Sequence, residues 1–339
     1  MTVCGPANTP RTYAGDMTLT PRVYIIHENP DWLPPFTAAF LAEGVDAEEI
    51  LLTKGSIDLD TEPAPGVYWS RMSASAHTRG NTHSKDFTRA YLCWLEQSGQ
   101  RIVNGGDTIN FEVSKVQQHR ALRTAGFDVP TTVAVFGRDG LRERSREFTL
   151  PFITKHNQGG KGLGVRRFDS YDAFDAYLAS PEFEEPVDGI TLLQEYLVAE
   201  RPFITRVEFV GGRYVYAVRV DISAGSFELC PADACLVAPG DTPGDAPGDT
   251  PGDAPAAPFS LREGFDGDPL IARYEAFLAE QGIEIAGVEF IETADGRRVT
   301  YDVNTNTNYN PDVEAAAELP AARAIARFLG SLLPARVPA

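Results

Sequence analysis

Residues 287 to 310, GVEFIETADGRRVTYDVNTNTNYN, constrain this chain most, because they read as a β-hairpin with acidic and amide groups gathered on one face. The Asp295-Gly296 pair is a strong signal for a two-residue turn between alternating apolar residues. Such a turn puts Glu289 directly across from Asp302, and Asn304 projects from the same face two residues on. Val288, Phe290, Val299, Tyr301 and Val303 then form the opposite, core side. Facing carboxylates destabilise a strand pair unless a positive charge lies between them. Hard divalent cations such as Mg²⁺ fill that role with oxygen ligands. Glu289, Asp302 and Asn304 are therefore candidate metal ligands, with an exposed acidic hairpin as the alternative. Within the sequence alone, losing Asp302 should spare the fold, since it removes the repulsion.

Composition narrows the function classes. A chain of 339 residues with 43% hydrophobic content is globular, with two or three domains expected. A net charge of −18 without a basic patch argues against nucleic-acid or anionic-membrane partners. No apolar run is long enough to span a bilayer. The opening MTVCGPANTPRTYAGDMTLT lacks a basic start and an apolar stretch, so residues 1–20 read as a disordered leader, with Met17 as an alternative start. Four cysteines make no disulfide framework, and a cytoplasmic location with reduced thiols is expected. Four PGD[TA] repeats make residues 239–258 read as a disordered surface insertion. Only five of the 30 basic residues are lysine: Lys54, Lys85, Lys115, Lys155 and Lys161.

Strands near 23–26, near 66–70 and in RIVNG alternate with helix-like segments, which predicts a parallel α/β unit over 21–105. Ligands bind such units at the carboxyl ends of strands, so Arg71, Ser73, Ser75, His77 and Arg79 form a candidate substrate rim, with a solvated loop as the alternative. FEVSKVQQHRALRTAGFDVP predicts a helix carrying Val113, Val116 and Leu122 that stops at Gly126. PFITKHNQGGKGLGVRRF then reads as strand, glycine-rich loop, strand. With no helix following, the loop is neither a dinucleotide fingerprint nor a P-loop. Gly159, Gly160, Gly162 and Gly164 let the backbone approach an anionic ligand, and Lys155 and Lys161 supply cationic charge for a polyphosphate. A mobile turn is the other reading. TLLQEYLV and ITRVEFVGGRYVYAVRV predict further antiparallel strands.

The order of these motifs resembles the ATP-grasp superfamily of carboxylate–amine ligases, nearest to ribosomal protein glutamate ligase and related amino-acid ligases. The elements that carry the resemblance are EVSKVQQHRAL, AGFDVPTT, PFITKHNQGGKGLGV, LLQEYL, ITRVEF and VEF…YDVNTN. The fold implied is α/β plus α+β: a pre-ATP-grasp α/β domain (21–105), a central lobe (106–198) and a C-terminal lobe (199–335), with ATP held between two antiparallel-sheet lobes. The resemblance further implies that Lys115, Lys155 and the loop through Gly159, Gly160, Lys161, Gly162 and Gly164 contact the phosphates. Gln194, Glu195, Tyr196 and Leu197 would line the adenine pocket, and Arg206, Arg219 and Lys161 would stabilise the transferring phosphoryl group. Glu289, Asp302 and Asn304 would hold one or two Mg²⁺, with Mn²⁺ able to substitute. Glu289 departs from the aspartate many members carry, and Thr305 from the proline often found after the metal-binding Asn.

The reaction implied is formation of an acyl phosphate from ATP and a carboxylate, then amide formation with release of ADP and phosphate. Arg71, Ser73, Arg79, Asn306, Asn308 and Tyr309 are the candidate substrate contacts, suited to an amino acid or short peptide. A homo-oligomer is a further candidate state. A peptide- or protein-modifying ligase and a silent ATP-binding protein are the alternatives. Cys230 and Cys235 read as non-catalytic, with half a zinc site as the other reading, and His156 as a strand residue rather than a general base.

Overall fold

The computed structural model describes residues 20–160, 162, 164–223 and 258–334. Residues 1–19 of the expected leader, Lys161, Cys230, Cys235 and the PGD repeats therefore lie outside the described residues. Strands β1 (Arg22–His27), β2 (Ala47–Leu51), β3 (Gly66–Ser70) and β4 (Arg101–Val103) form a parallel sheet in the order β2-β1-β3-β4. β1 and β3 are short, nearly continuous buried runs, as central parallel strands must be. The strand order reverses between them, so the crevice for a ligand opens beyond His27 and Ser70. β2 is the strand that the apolar pattern misses. Its sequence, AEEIL, lies at the sheet's edge and is half exposed.

The second sheet is antiparallel: β5 (Thr132–Phe136), β6 (Phe152–His156), β7 (Arg166–Phe168) and β8 (Ile190–Glu195), ordered β5-β8-β6-β7. It has its own aromatic core, in which Phe152 meets Phe174 edge-on at 5.2 Å and Phe168 meets Phe174 at 4.8 Å. Phe174 belongs to the helix Tyr171–Ala179, which Ser170 caps by accepting a bond from the Ala173 amide.

The third sheet runs β11-β10-β9-β12-β13. Its strands are β9 (Phe203–Val210), β10 (Arg213–Asp221), β11 (Phe259–Leu261), β12 (Ile285–Glu292) and β13 (Arg298–Asn304). β9 is buried along its whole length because both faces of the sheet are covered. On one face Val207, Phe209, Val288 and Phe290 pack with Tyr274 and Phe277 of the helix Pro269–Glu280. On the other, Val210 and Ile285 share a core with the closing helix Ala321–Ser331 and with Val23, Ile25 and Trp69 of the parallel sheet. The third sheet is thereby fastened to the first.

Two irregularities change which side chains share a face. The hairpin closes through a three-residue loop, not the two-residue turn expected: Thr293 and Arg297 pair, and Gly296 sits at φ +84°. A bulge at Tyr301 then restores the register, so Glu289 does lie opposite Asp302 and Val288 opposite Val303. Between the two, Val299 pairs with Ile291, and both join the core next to Tyr301 and Leu197 rather than the core of Phe290. Val299 and Tyr301 are thus not on the side with Val288, Phe290 and Val303. The second bulge, between Tyr214 and Tyr216 on β10, pairs Arg206 with Val218 and Arg219 with Thr205. A one-residue slip turns a side chain to the other face, so Arg219 and Arg206 point away from each other. The expected helix also differs: it spans Lys115–Thr124, Val113 caps the helix before it, and Val116 is exposed while Lys115, Gln118 and Leu122 face inward.

Candidate active site

A cavity of about 270 Å³ lies where the three sheets meet. It is lined by Lys115, Lys155, Gly159, Gly160, Gly162, Gln194, Glu195, Tyr196, Leu197, Arg206, Glu289, Asp302, Asn304, Ser73, Asn306 and Asn308, all singled out from sequence.

Asn304 Nδ2 donates to Glu289 Oε1 at 3.2 Å, and Arg206 Nη1 lies 3.6 Å from the same oxygen. The ammonium of Lys115 rests on Asp302 Oδ1, and Lys155 Nζ stands 3.9 Å from Oδ2. The two carboxylates are driven apart. Burial and then the charge of Asp302 raise the Glu289 pKa. Burial pushes Asp302 the same way, but Lys115 and Lys155 outweigh it and hold Asp302 below the usual carboxylate range. Burial likewise works against Lys115, yet Asp302 leaves its pKa raised. Lys155, farther from the carboxylate, is pulled down to about 8 by burial.

Local structure explains these positions. Lys115 opens its helix after the Ser114 cap, an unfavourable end for a cation. What fixes it is Asn157 at the end of β6, whose carbonyl accepts from the Lys115 amide at 3.2 Å and whose Oδ1 accepts from the Val116 amide at 2.9 Å. Gln118 binds the Val303 carbonyl at 2.9 Å and its amide at 3.3 Å, tying that helix to β13 beside Asp302. Glu112, a cavity residue that the sequence reading missed, accepts from the Thr305 amide at 2.7 Å and its hydroxyl at 2.9 Å. It holds the chain just past Asn304.

The rest of the wall is apolar. Ile153, Val165, Leu197, Ile204, Ile222 and Ile291 converge near Gln194 to Leu197, and of these the sequence reading named only Leu197. Gln194 Nε2 donates to Thr132 Oγ1 at 2.9 Å, and the Tyr196 ring carries the Arg167 guanidinium at 4.4 Å. Six aliphatic side chains around a polar strand end make a slot for a flat, uncharged ring system. Gly159, Gly160 and Gly162 of the glycine-rich loop also border the cavity.

Other expected residues stand outside the cavity. Arg219 is exposed on the far face, its guanidinium 4.2 Å from the Phe203 ring centroid, a consequence of the β10 bulge. Gly164 is needed elsewhere: at φ +70° it passes so close to His156 that a Cβ would lie 2.2 Å from the ring. Arg71 is not on an open rim but fully buried, 4.2 Å over Phe36, and donates from Nη2 to the Thr307 carbonyl and Asn308 Oδ1, each at 2.9 Å. Arg79 is paired with buried Glu28 at 2.5 Å, and His77 does not line the cavity. Tyr309 is packed edge-on against Phe36 at 6.0 Å. His156 sits on β6 and lines the cavity, with Nε2 3.2 Å from the Glu184 carbonyl.

Among the described residues no three His, Cys, Asp or Glu side chains cluster as a metal site. The donor set is instead two carboxylates and an amide on neighbouring strands. That suits Mg²⁺, which takes few protein oxygens and completes its shell with water and phosphate oxygens. Lys115 now supplies Asp302 with the positive charge that the metal would bring.

No protein-family profile and no curated protein matches the sequence. Solved structures do match. A RimK-domain ATP-grasp protein from Sphaerobacter thermophilus is 19% identical with a TM-score of 0.62, covering 91% of this chain and 98% of that one. D-cycloserine synthetase DcsG is 15% identical with a TM-score of 0.63, over 92% of this chain and 100% of its own. ATP-grasp ligase PsnB, solved with a phosphomimetic precursor variant, Mg and ADP, is 16% identical with a TM-score of 0.59, over 92% and 99%. These likenesses establish the fold: this is an ATP-grasp fold with an N-terminal parallel sheet and two antiparallel sheets. A RimK-domain protein is thus among the structures that share this fold. No described helix is long and apolar enough to cross a membrane.

Proposed function

We propose that the protein is an ATP-dependent carboxylate–amine ligase that works through an acyl phosphate and releases ADP and phosphate. One observation carries the reading: a single cavity joins an aliphatic slot at Gln194–Leu197 to a floor of Lys115, Lys155, Arg206, Glu289, Asp302 and Asn304. The adenine ring fills the slot, with the triphosphate running toward the two lysines and the glycine-rich loop. Glu289, Asp302 and Asn304 would hold Mg²⁺, which would neutralise charge on the phosphate oxygens. Lys115 then leaves Asp302 for a phosphate, and Arg206, already beside Glu289, stabilises the transferring group. The substrate carboxylate attacks the γ-phosphorus in line, breaking its bond to the bridging oxygen. The amine next attacks the acyl carbon and expels phosphate. The protein chiefly positions the reactants.

Asn306 and Asn308 line the cavity beyond the metal floor, and the buried Asn306 Oδ1 has no hydrogen-bond partner among the described residues. A polar substrate group such as an amino-acid amine or amide would satisfy it. An amino acid or a short peptide is therefore the substrate class, in keeping with relatives named as a D-cycloserine synthetase and as a ligase complexed with a precursor. Phosphate release from MgATP in the presence of amino-acid pairs, followed by mass spectrometry of the product, tests the proposal. Arg206→Ala should lower turnover at least about 100-fold, the scale of a lost transition-state donor. Unchanged turnover would sink it.

A further inference from the structure

A second cavity of about 20 Å³ lies behind Arg206, sharing Arg206 and Asn308 with the main one. Glu208, Tyr216, Phe259 and Tyr309 also line it. Glu208 is 2% exposed. Its Oε1 lies 2.7 Å from Arg206 Nε, while its buried Oε2 has no hydrogen-bond partner among the described residues. The arrangement is built in: Gly287 faces Glu208 across the sheet, and a Cβ there would lie 2.6 Å from Arg206 Nε and 2.9 Å from Glu208 Oε2. A glycine inside a strand weakens it and commonly marks a close approach, here the room kept for this pair. A carboxylate placed only to steady the sheet would have both oxygens engaged, because an unmade bond in a buried site is costly.

We propose that this small cavity seats the nucleophilic amine of the ligase reaction and that Glu208 accepts the proton the amine must lose. The inference rests on the ligase reading and names the group that reading leaves without a base. The cavity holds about one water-sized group, which matches an ammonium head and excludes a phosphate or a ring. Tyr216, Phe259 and Tyr309 are in its lining, and aromatic rings attract a cation. The charged and titratable groups that bear on Glu208 are Arg206 on its own strand, Tyr216 on β10, Glu289 on β12, and Tyr309 and Glu314 from the closing segment. Burial pushes the Glu208 carboxyl up to about 7 against the pull of Arg206, into the range where a carboxylate both takes and releases a proton at neutral pH.

The ammonium gives one proton to Glu208, and the freed nitrogen lone pair forms the C–N bond to the acyl carbon. The bond between the acyl carbon and the bridging phosphate oxygen breaks, and the departing phosphate takes the second nitrogen proton.

The test uses Glu208→Gln with MgATP, the protein amino acids supplied together, and either those amino acids or hydroxylamine as nucleophile. Hydroxylamine is uncharged at neutral pH and needs no base to free its lone pair. Amide formation should fall about 100-fold while hydroxamate formation falls less than about threefold, the separation expected for loss of a general base. The acid limb of the amide rate profile, set near pH 7 in the wild type, should vanish with it. A parallel loss of both products would overturn the proposal in favour of Glu208 merely holding Arg206, and no loss of either would overturn it outright. Wild-type protein that makes no hydroxamate would remove the ligase reading itself, and this proposal with it.

Discussion

Replacing Asp302 by Asn keeps the side chain's volume and removes the charge on which Lys115 and Lys155 rest. From sequence alone, that change relieves a repulsion and spares the fold. The structure reverses the sign, because the lysines paired with Asp302 outweigh the facing carboxylate, and both are at most 9% exposed. Stranding a buried charge by removing its partner costs about 3–5 kcal/mol. Lys155 sheds part of this by releasing its proton, its pKa being already down at about 8, so the lower end is expected, about 3 kcal/mol. At about 2–4 °C per kcal/mol, melting should fall by roughly 6–12 °C.

The pH window follows from the directions of the shifts. Asp302 is held below its ordinary pKa, so its contribution is present above about pH 4 and fades as the pH falls through the lower folded value. Lys115 is raised, so its share persists until the pH climbs past its ordinary value of about 10.5. The variant's deficit should therefore be largest near pH 5 and narrow as the pH rises to about 8, because Lys155 without Asp302 gives up its proton below the wild-type value of about 8. Scanning fluorimetry in metal-free buffer reads the melting point, and ADP release reads the accompanying loss of Mg²⁺-dependent turnover. A variant as stable as wild type, or one that keeps its turnover, would refute the pairing and the metal assignment respectively.

Three further outcomes are expected. Lys85→Met should stabilise the protein at pH 7 by about 1–2 kcal/mol, because burial lowers the Lys85 pKa to about 8 and its Nζ has no hydrogen-bond partner among the described residues. The unfolded chain binds the extra proton between about pH 8 and 10.5, so wild-type stability rises across that window and the gain in melting point should shrink there. Arg71→Met keeps the stacking volume but frees Thr307 and Asn308, so turnover should fall about 10-fold with nucleotide affinity, read by calorimetry, unchanged. Arg219→Ala should leave turnover within about twofold of wild type, since exposed substitutions away from a site do little, and a large loss would put that arginine back at the phosphates.

The floor of the site was legible because strand alternation is a two-residue rule that survives paired errors. The turn at Asp295-Gly296 is one residue longer than its dipeptide signals, and the bulge at Tyr301 cancels the difference before Glu289 and Asp302. No residue type announces that bulge, so Val299 and Tyr301 went to the wrong side. The β10 bulge at Val215 is equally silent, and it turned Arg219 away from Arg206. The aliphatic slot was invisible for another reason: Ile153, Val165, Ile204, Ile222 and Ile291 come from separate strands and loops, and each looks like ordinary core. Arg71 was misjudged as rim because charged side chains are seldom fully buried. Its partners lie more than two hundred residues away. Glu208 carried the one signal that went unused, an acidic residue inside an otherwise apolar strand, RVEFV, two residues from Arg206.

The central claim is that a carboxylate oxygen attacks the γ-phosphorus of ATP in this cavity. Supplying the amino acids with ¹⁸O in their carboxylates, together with unlabelled MgATP, tests it without knowing which one is used. Mass spectrometry of the released phosphate should find one ¹⁸O atom per phosphate formed, with ADP as the other nucleotide product. Unlabelled phosphate, or label carried into AMP, would contradict it.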